Sequence, residues 1–504
     1  MLLSSLLDSL PSTLSARVVA PAIDATATRV SGRVTDRTQD VRDGDVFVAI
    51  RGARFDGHDH IPPNAGAVFV EREVEAPAGV PVVLVRSTPR ALGHLCAVVE
   101  GRPGESLVLV GVTGTNGKTS VTYLVAHIAR AFGWSAGLIG TTGHLLDGVA
   151  IGEGYTTPTA PQLQHLLATF RDRGATLVAM EVSSIGLAAH RVDGTTFSAA
   201  GFTNLTRDHL DFHGSMDTYA AAKMRLFTDL LRPGATAVLN AGDPVGLQIE
   251  ALLRPDAAAS GPSVAVSVAL YGASGWTAQV VDESVRGSTL RVRDPQGVDH
   301  TARTPLFGGY NIENLLCAWA LCHAVGIDER AIVEGLASFP GVPGRLERVS
   351  EAEPFDVFVD YAHTDDALRR VLQVVRPLTR GRLRVVFGCG GDRDPGKRPA
   401  MGAAARLADH VYATSDNPRS EDPLAIIAQI LPGLGGHPHV VQPDRREAIR
   451  RAIADCAPGD VLIVAGKGHE TTQAVGSQLL PFDDRRVCRR VLQALSPTQP
   501  GGSP

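Results

Sequence analysis

The sequence predicts an α/β protein of about three domains, and three observations support this fold class. Short apolar runs typical of buried strands alternate with segments in which apolar residues recur at helical spacing. Polar or glycine-rich segments follow many of these runs, as they do where parallel strands end at a binding crevice. The chain has 504 residues, of which 44% are hydrophobic and 20% charged, so it has ample material for buried cores.

The first predicted domain, residues 1–104, is a small α/β unit. Apolar runs at 45–50 and 82–85 predict two buried strands, and the loop between them is polar and contains glycine. Turn-forming residues at 101–104 predict the boundary with the next domain. Taken alone, this domain indicates no particular chemistry.

The second predicted domain, residues 105–340, is built on a mainly parallel sheet. Apolar runs at 107–112, 177–182, 197–202 and 235–239 predict its strands, with helical patterns between them. From 262 to 303 the alternation and the turns predict hairpins instead. A helix is expected to open at 308–314, where an ordinary capped core helix is the alternative interpretation.

The strongest local motif is a glycine-rich turn between a predicted strand and a predicted helix. Its glycines and the two residues after them are Gly111, Gly114, Gly117, Lys118 and Thr119. The backbone N–H groups of such a turn and the following helix N-terminus form a cradle for phosphate. The lysine reaches the terminal phosphates of a nucleotide, and the threonine hydroxyl holds Mg²⁺. Because Val112 stands where a strict Walker A motif has glycine, the motif predicts a variant phosphate loop; a plain glycine turn is the alternative.

Polar clusters after two further strands are expected to meet this loop. Glu181 ends the second apolar run of the domain, and His209 lies in the polar segment after the third. Ligands gather at the carboxyl ends of parallel strands, so both side chains are candidate metal ligands, and Lys223 follows one helix start later. A capping or surface carboxylate is the alternative for Glu181 taken alone. His190 and His213 are interpreted as structural histidines.

The third predicted domain, residues 341–504, is a further α/β unit. Its strands are predicted at 357–359, 383–387, 411–413 and 461–464, and polar or glycine-rich residues follow each of them closely. Four such strand ends predict a binding crevice. The sequence contains no G-x-G-x-x-G motif with a downstream acidic partner, which argues against a second dinucleotide. The tail at 496–504 is rich in proline, glycine and serine and is predicted to be disordered.

Charge and cysteine content argue against several classes of function. The formal net charge is −5, which gives no electrostatic footprint for nucleic acid. The six cysteines are scattered without a C-x-x-C pair, which favours reduced thiols and a cytoplasmic location over disulfides or a zinc site. The N-terminus lacks the pattern of a signal peptide, and no apolar run approaches the roughly 18 residues of a membrane span.

Taken together, these motifs resemble the Mur ligase family over nearly the whole chain. The resemblance is carried by residues 113–119, 181–184, 203–209, 311, 314, 344–345, 360–363 and 465–470. The number and order of these motifs make the match specific. The resemblance implies a three-domain architecture, with a small N-terminal α/β domain, a central domain of the P-loop type and a C-terminal Rossmann-like domain.

The resemblance also implies ATP-driven amide formation. The chain looks most similar to the family members that add diaminopimelate to UDP-MurNAc-L-Ala-D-Glu in peptidoglycan precursor synthesis. In that reaction the D-glutamate side-chain carboxylate takes the γ-phosphoryl group of ATP, and the amine then attacks the acyl phosphate. The implied cofactors are Mg²⁺ and a CO₂-derived carbamate on Lys223. The protein is expected to be a cytoplasmic monomer without membrane insertion; the meso isomer is favoured and the LL isomer stays open.

The family's functional positions carry over where the motifs match. The catalytic positions are Lys118, Lys223, Glu181 and His209, and the metal ligands are Thr119, Glu181, His209 and carbamylated Lys223. The ATP positions are Gly114, Thr115, Asn116, Gly117, Lys118, Thr119, Asn311, Arg345 and Asp360. The UDP-MurNAc-dipeptide positions are Asp36, Thr38, Thr156, Thr157, Ser183 and Arg191. The diaminopimelate positions are Arg393, Asp416, Asn417, Pro418, Arg419, Gly466 and Glu470.

Amino-acid specificity is predicted from the Asp-Asn-Pro-Arg motif that ends at Arg419. This motif is typical of the diaminopimelate-adding members, whereas lysine-adding members lack the arginine. Diaminopimelate carries a second carboxylate that lysine lacks, and a planar guanidinium binds a carboxylate bidentately. Arg393 is expected to be a second anchor. A buried arginine left unpaired by lysine would penalise that substrate.

Several positions depart from the family pattern. Ile185, Asp365 and Tyr155 replace the histidine, proline and asparagine found there in relatives, and Thr38 retains only the hydroxyl of a serine. Three alternatives to the implied function remain. The first is a sister ligase, either a folylpolyglutamate synthase or the D-Ala-D-Ala-adding Mur ligase. The second is an ATP-binding regulatory or motor protein, which predicts a Walker B aspartate where this strand ends in Glu181. The third is an inactive relative.

Overall fold

The computed structural model of the chain describes residues 1–20, 28–52, 55–75, 77–254 and 266–495. The tail at 496–504, which its composition predicts to be disordered, lies outside these residues. The chain divides into two compact units. The first contains Met1–Gln279, Arg291–Ala302 and Glu313–Ser338, and the second contains Val280–Leu290, Arg303–Ile312 and Phe339–Pro504. Domain boundaries at 104 and 340 stay a prediction.

A five-stranded sheet forms the N-terminal part of the first unit. Its strands are β1 (Arg17–Ala20), β2 (Val34–Thr35), β3 (Val46–Val48), β4 (Ala67–Val70) and β5 (Val82–Leu84), and its helices are α1 (Leu3–Asp8) and α2 (Thr88–Val99). The order is β1-β5-β4-β3-β2, and only β1 runs antiparallel to its neighbour. The strands predicted at 45–50 and 82–85 are present as β3 and β5. Every residue of β3 and β4 is buried, as expected of parallel strands covered on both faces.

The rest of the first unit is built around an eight-stranded sheet. Its strands are β6 (Val108–Thr113), β7 (Ala136–Gly140), β8 (Gly143–Leu146), β9 (Val149–Gly152), β10 (Leu177–Glu181), β11 (Phe197–Phe202), β12 (Leu231–Asn240) and β13 (Ser267–Tyr271). The helices are α3 (Lys118–Ala131), α4 (Ala160–Asp172), α5 (Ser184–Ala188), α6 (Leu210–His213), α7 (Met216–Thr228) and α8 (Pro244–Leu253). The order β13-β12-β11-β6-β10-β7-β8-β9 places β6 between β10 and β11. These three strands are parallel, so their carboxyl ends are neighbours.

The hairpins predicted at 262–303 are only partly present. Strand β13 pairs in parallel with β12 and extends the large sheet. The sequence predicts a hairpin strand here instead, because an edge strand shows the same alternation as a hairpin strand. A separate three-stranded sheet has the order β14-β15-β16, with β14 (Thr277–Ser284), β15 (Gly287–Arg293) and β16 (Asp299–Thr304). Residues 262–265 of this range lie outside the described residues. Two helices follow, α9 (Gly309–Ala324) and α10 (Glu329–Ala337), and α9 is the helix predicted to open at 308–314.

The second unit is centred on a six-stranded sheet. The strands from here on are β17 (Glu347–Arg348), β18 (Asp356–Asp360), β19 (Leu383–Phe387), β20 (His410–Ala413), β21 (His439–Val441), β22 (Val461–Ala465), β23 (Thr472–Val475) and β24 (Gln478–Pro481). The helices are α11 (Asp365–Val375), α12 (Lys397–Ala405), α13 (Pro423–Leu434), α14 (Arg445–Ala454) and α15 (Asp484–Leu495). The sheet order is β17-β18-β22-β19-β20-β21, with β17 alone antiparallel, so all four predicted strands are present and parallel. Strands β23 and β24 pair with each other as a hairpin.

Two further features of the helices bear on the sequence predictions. Asp365, one of the departures from the family pattern, begins α11 after the N-cap Thr364, where a carboxylate complements the helix dipole. Within the part of the chain that the structure describes, no helix combines the length and the apolar character that crossing a bilayer requires.

Candidate functional site

The phosphate loop joins β6 to α3 and depends on two glycines. Gly114 (φ +149°) and Gly117 (φ +88°) have backbone conformations that favour glycine. A Cβ atom at Gly114 would lie 1.8 Å from Thr203 Oγ1, and one at Gly117 would lie 2.2 Å from Asn314 Oδ1. The loop is therefore packed closely against polar side chains, and neither position has room for alanine.

The polar segment after β11 holds this loop in place, as the strand order requires. Thr115 N donates to Asn204 O at 2.8 Å, and Asn116 N donates to Asn204 Oδ1 at 3.0 Å. Thr203 Oγ1 donates to Asn116 O at 2.6 Å. The predicted convergence of this segment with the loop is thus present, and the turn is preformed by side-chain contacts from a neighbouring strand end.

Two lysines converge on a single carbonyl of the loop. Lys118 Nζ donates to Gly114 O at 2.8 Å, and Lys223 Nζ donates to the same oxygen at 2.8 Å. Lys223 lies on α7 and is only 1% exposed. Burial lowers the pKa of Lys223 well below its usual value, and the charge of Lys118 adds to this effect. The aromatic ring of Tyr219, one helical turn earlier, has its centroid 4.5 Å from Lys223 Nζ.

Glu181 is a buried carboxylate at the end of β10, beside the loop. Its Oε1 accepts hydrogen bonds from Thr119 Oγ1 at 3.1 Å and from Thr141 N at 2.9 Å. Its Oε2 accepts from Thr141 Oγ1 at 3.2 Å. Carboxylate and hydroxyl oxygens are the donors that Mg²⁺ prefers, so Thr119 and Glu181 together fit this metal.

The residues predicted to hold the muramoyl-peptide cluster around the same strand end. Thr157 Oγ1 donates to Glu181 O at 2.9 Å and accepts from Ser183 N at 2.9 Å. Arg191 Nη1 donates to Thr157 O at 3.0 Å. Thr156 Oγ1 is 3.0 Å from Thr141 Oγ1, the hydroxyl that also contacts the Glu181 carboxylate. Glu181 therefore joins the phosphate loop to the predicted peptide positions.

Two departures from the family pattern lie next to this cluster. The Tyr155 ring centroid is 4.9 Å from the Arg191 guanidinium. Ile185 follows Ser184, whose Oγ lies 3.0 Å from Nε2 of the buried His213. A histidine thus contacts this serine pair after all, but it comes from α6 and not from position 185.

His209, the second predicted metal ligand, is exposed at the start of α6. Its Nε2 lies 3.6 Å from Asp208 Oδ2, and its ring centroid is 6.2 Å from that of Tyr219. Among the described residues, no group of three or more His, Cys, Asp or Glu side chains is placed to hold a metal ion. The predicted ligand set also includes a hydroxyl and a modified lysine, so the role of His209 stays a prediction.

The two positions predicted for the nucleotide of the UDP-linked substrate lie after β2. Asp36 is half-buried, and burial raises its pKa above the usual value. Thr38 Oγ1 is buried and has no hydrogen-bond partner among the described residues. A buried hydroxyl without a partner is costly unless a ligand or water satisfies it.

The three positions predicted to bind adenosine and phosphates, Asp360, Arg345 and Asn311, lie in the second unit. Asp360 ends β18, accepts from two backbone N–H groups at 2.7 and 2.8 Å, and has its pKa raised by burial. The Arg345 guanidinium lies 4.9 Å from the centroid of the Tyr361 ring. Asn311 Nδ2 donates to Phe307 O at 2.9 Å, which anchors the first turn of α9.

Asp416 presents a buried carboxylate oxygen without a hydrogen-bond donor. Its Oδ1 accepts from Asn417 N at 2.7 Å, whereas Oδ2 has no partner among the described residues. Burial raises the pKa of Asp416, and the charges of Arg445 and Lys467 oppose that effect. A Cβ atom at Gly466 (φ +118°) would lie 2.5 Å from Oδ2. This oxygen is suited to receive an ammonium group.

Asn417 and Glu470 are linked by a lysine that the sequence analysis did not single out. Lys467 is fully buried and its Nζ donates to Asn417 Oδ1 at 3.2 Å and to Glu470 Oε2 at 3.0 Å. Asn417 Nδ2 also donates to Glu470 Oε2 at 3.0 Å. These bonds, with the Lys467 charge, outweigh desolvation and lower the pKa of Glu470.

The two predicted specificity arginines both lie next to Gly390. A Cβ atom at Gly390 would be 2.9 Å from Arg419 Nη1 and 3.7 Å from Arg393 Cγ. Arg419 follows the buried Pro418, is half-buried rather than buried, and donates from Nη1 to Gly391 O at 2.6 Å. Over the residues that the structure describes, neither arginine makes an ion pair. Two guanidinium groups without a carboxylate partner suit an anionic ligand.

Sequence reasoning missed three residues that complete these sites. Thr141 follows β7, and the apolar run at 136–139 before a polar pair is a signal that could have identified it. Tyr219 links Lys223 to the loop, since its hydroxyl lies 3.1 Å from Thr115 Oγ1. Lys467 lies within the motif at 465–470 that carries the family resemblance, but the motif by itself predicts no role for it.

Comparison with known proteins finds two family domains in the chain and several similar proteins. The Mur ligase middle domain family matches residues 112–322, and the Mur ligase glutamate ligase domain family matches residues 344–468. A UDP-N-acetylmuramoyl-L-alanyl-D-glutamate–2,6-diaminopimelate ligase from Streptomyces coelicolor is 42% identical over 92% of this chain and 93% of its own length. The enzyme of the same name from Geobacillus kaustophilus is 41% identical over 90% of this chain and 93% of its own length.

A solved structure is similar to this chain over most of its length. It is a UDP-N-acetylmuramoyl-L-alanyl-D-glutamate–2,6-diaminopimelate ligase, 31% identical, and the alignment covers 94% of this chain and 97% of the other with a TM-score of 0.71. Identity of this size over most of both chains confirms the predicted α/β fold class and its family, and the chain belongs to the Mur ligase family.

Proposed function

We propose that this protein is the ATP-dependent ligase that adds diaminopimelate to the D-glutamate side-chain carboxylate of UDP-MurNAc-L-Ala-D-Glu. The observation that carries the proposal is that Glu181 contacts both the phosphate loop and the predicted peptide cluster. Its carboxylate contacts Thr119 of the phosphate loop, and its backbone carbonyl contacts Thr157 of the predicted peptide cluster. The phosphate donor and the carboxylate that accepts the phosphoryl group are thereby expected at one strand end.

The residues around the loop supply the charge that this chemistry needs. Phosphoryl transfer depends mostly on positioning and on neutralising negative charge. The Lys118 ammonium and the backbone N–H groups of residues 114–119 would bind the phosphates, and Thr119 and Glu181 would hold Mg²⁺. When bound, Mg²⁺ neutralises charge on the phosphate oxygens. Asn311, Arg345 and Asp360 are proposed to bind the adenosine and phosphates.

Lys223 fits a carbamate. Its amine is buried and its pKa is lowered, so the neutral form that reacts with CO₂ is favoured. The carbamate would supply anionic oxygen to a second Mg²⁺, for which His209 is the proposed further ligand. Thr38 and Asp36, together with Thr156, Ser183 and Arg191, are proposed to hold the UDP-MurNAc-dipeptide.

The second unit is proposed to select the amino acid. The free Oδ2 of Asp416 would accept a hydrogen bond from an ammonium group, and Arg393 and Arg419 would bind a carboxylate. Diaminopimelate has two ammonium groups and two carboxylates, whereas lysine has only one carboxylate. Asn417, Gly466 and Glu470 are proposed to contact the same amino acid. We further propose that the protein acts as a monomer in the cytoplasm, where all six thiols stay free.

The test is phosphate release by the purified protein with UDP-MurNAc-L-Ala-D-Glu, ATP, Mg²⁺ and one amino acid at a time. The panel contains meso- and LL-diaminopimelate, L-lysine, L-glutamate and D-Ala-D-Ala, and mass spectrometry identifies each product. We expect phosphate release and a tripeptide product with diaminopimelate. Addition of D-Ala-D-Ala to the diaminopimelate-containing UDP-MurNAc-tripeptide, or of glutamate to a folate, each in a parallel assay, would replace the proposal with a sister ligase. A Lys118→Ala variant is the matched negative control.

A further inference from the structure

The hairpin β23–β24 of the second unit forms several hydrogen bonds with the Asp-Asn-Pro-Arg segment and the serine before it. Gln473 Nε2 donates to Asp416 O at 2.6 Å and to Ser415 Oγ at 3.2 Å. Ala474 N donates to Asn417 Oδ1 at 3.0 Å. One strand of the hairpin thus bonds to three consecutive residues that lead to Arg419.

The same hairpin holds the backbone of Arg419 in an uncommon conformation. Arg419 has φ +51°, in the left-handed region that non-glycine residues rarely adopt. Its N–H donates to Ala474 O at 3.0 Å, and its carbonyl accepts from Gly476 N at 2.7 Å. The direction in which the Arg419 side chain leaves the backbone therefore depends on bonds made by the hairpin.

Polar contacts, and not apolar burial, hold the hairpin in its place. All residues of β24 are exposed, with Leu479 71% and Leu480 42% exposed, and β23 is at most half-buried. At the base of the hairpin, the buried Lys467 donates to Thr472 O at 2.6 Å as well as to Asn417. An element without an apolar core of its own moves when its polar contacts are lost.

We propose that Gln473 is a specificity-positioning residue, which sets the placement of Asp416 and Arg419 for a diamino dicarboxylic acid without contacting it. This inference rests on the proposed function. Gln473 Nε2 is the only side-chain donor of β23 that reaches the carbonyl of Asp416 among the described residues, so its loss removes the hydrogen bonds from this side chain to Ser415 and Asp416. Among the described residues, the Gln473 side chain makes no hydrogen bond to the phosphate loop or to its predicted metal ligands, so we expect these to keep their arrangement.

The experiment compares Gln473→Ala and Gln473→Glu with wild type and with the control Gln478→Ala, an exposed glutamine on β24. Gln473→Glu keeps the size of the side chain and removes the amide donor. We expect both Gln473 variants to raise the KM for diaminopimelate about tenfold, the effect of one or two lost hydrogen bonds, with kcat nearly unchanged. The ratio of kcat/KM for diaminopimelate to that for lysine should fall by a similar factor, and the KM values for ATP and the UDP-MurNAc-dipeptide should not change.

A second readout separates positioning from general damage. Hydrogen–deuterium exchange of the peptide spanning 415–420 should accelerate in both Gln473 variants while exchange in β19 and β22 stays as in wild type. Unchanged selectivity and unchanged exchange at 415–420 would overturn the proposal, and so would an equal rise in KM for all three substrates. If wild type itself fails to ligate diaminopimelate, the proposed function fails, whatever the variants do.

Discussion

Asp416 Oδ2 faces the backbone of Gly466 so closely that a Cβ atom at position 466 would lie 2.5 Å from it. Gly466 also has φ +118°, a conformation that alanine rarely adopts. We therefore expect Gly466→Ala to raise the KM for diaminopimelate about a hundredfold, since strain of this kind costs about 1–3 kcal/mol and the methyl group blocks the free oxygen. Steady-state kinetics measure the change.

The control for that variant is Gly436→Ala. Gly436 lies in the same unit, and a Cβ atom there would meet no atom within 4 Å. Wild-type kinetics in Gly436→Ala and a selective loss of amino-acid binding in Gly466→Ala are the expected pair of results. Normal binding of diaminopimelate by Gly466→Ala would contradict the assignment of Asp416 to the amino-acid site.

Lys223→Ala is expected to abolish ligation while ATP binding persists. The phosphate loop is held by Thr203 and Asn204, and neither contact involves Lys223. Phosphate release and equilibrium binding of a labelled ATP analogue measure the two properties. Lys223→Arg serves as a comparison, because it keeps a cation but forms no stable carbamate. Activity near wild type in either variant would refute the carbamate.

Burial of the Lys223 amine also predicts a pH-dependent change in stability. Its pKa in the folded state is lowered, so between that value and the ordinary value of 10.5 the unfolded chain binds more protons than the folded one. The contribution of this amine to the free energy of unfolding of the wild type therefore rises with pH across that window. We expect Lys223→Met to be more stable than wild type at neutral pH, and the difference to shrink as pH approaches 10.5. Urea unfolding in CO₂-free buffer without nucleotide tests this, and a difference that grows with pH would contradict it.

Arg419→Ala should weaken the choice of diaminopimelate over lysine. Loss of a guanidinium that binds a carboxylate removes a charge-assisted contact, and we expect the ratio of the two kcat/KM values to fall about 10- to 100-fold. Arg406→Ala, an exposed arginine at the end of α12, is the control. Competition assays with both amino acids measure the ratio. An unchanged ratio would remove the arginine from the specificity argument.

Asp193 is expected to stabilise the first unit. This buried carboxylate accepts from Arg90 Nε of α2 at 3.1 Å and from Arg225 Nη2 of α7 at 3.0 Å, and His190 Nδ1 lies 3.2 Å away. Asp193→Asn should lower the free energy of unfolding by about 2–4 kcal/mol, because Arg90 and Arg225 lose this charged partner, although Arg225 keeps its ion pair with Asp229. Urea unfolding at pH 7 measures the difference, with Asp172→Asn as an exposed control.

The pH dependence of that contribution follows from the pKa of Asp193. Burial alone would raise this pKa, but the hydrogen bond from His190 and the charge of Arg225 lower it below the usual 3.8. The stability that Asp193 contributes is therefore present above pH 3.8 and is lost as pH falls through the lowered value. The difference between wild type and Asp193→Asn should vanish in acid, and a difference that persists there would contradict the assignment.

Much of the candidate site could be predicted because its chemistry is local. The glycines and Lys118 of the phosphate loop are adjacent in sequence, and the strand order follows general rules for parallel sheets. The sequence therefore predicts that Glu181 and Thr203 lie near the loop. The parallel pairing of β13 could not, since a short alternating run has the same appearance in a hairpin and at a sheet edge.

The sequence alone determined the phosphate loop, the α/β class and the Asp-Asn-Pro-Arg motif, since each depends on residues close together in the chain. Only the tertiary structure decided which polar atoms stay without partners, such as Asp416 Oδ2, and which distant residues hold a site, such as Gln473 and Thr141. The physical reason is that satisfaction of a hydrogen bond depends on the packing of segments far apart in sequence. A motif specifies the groups that are available, and the fold determines which of them remain free for a substrate.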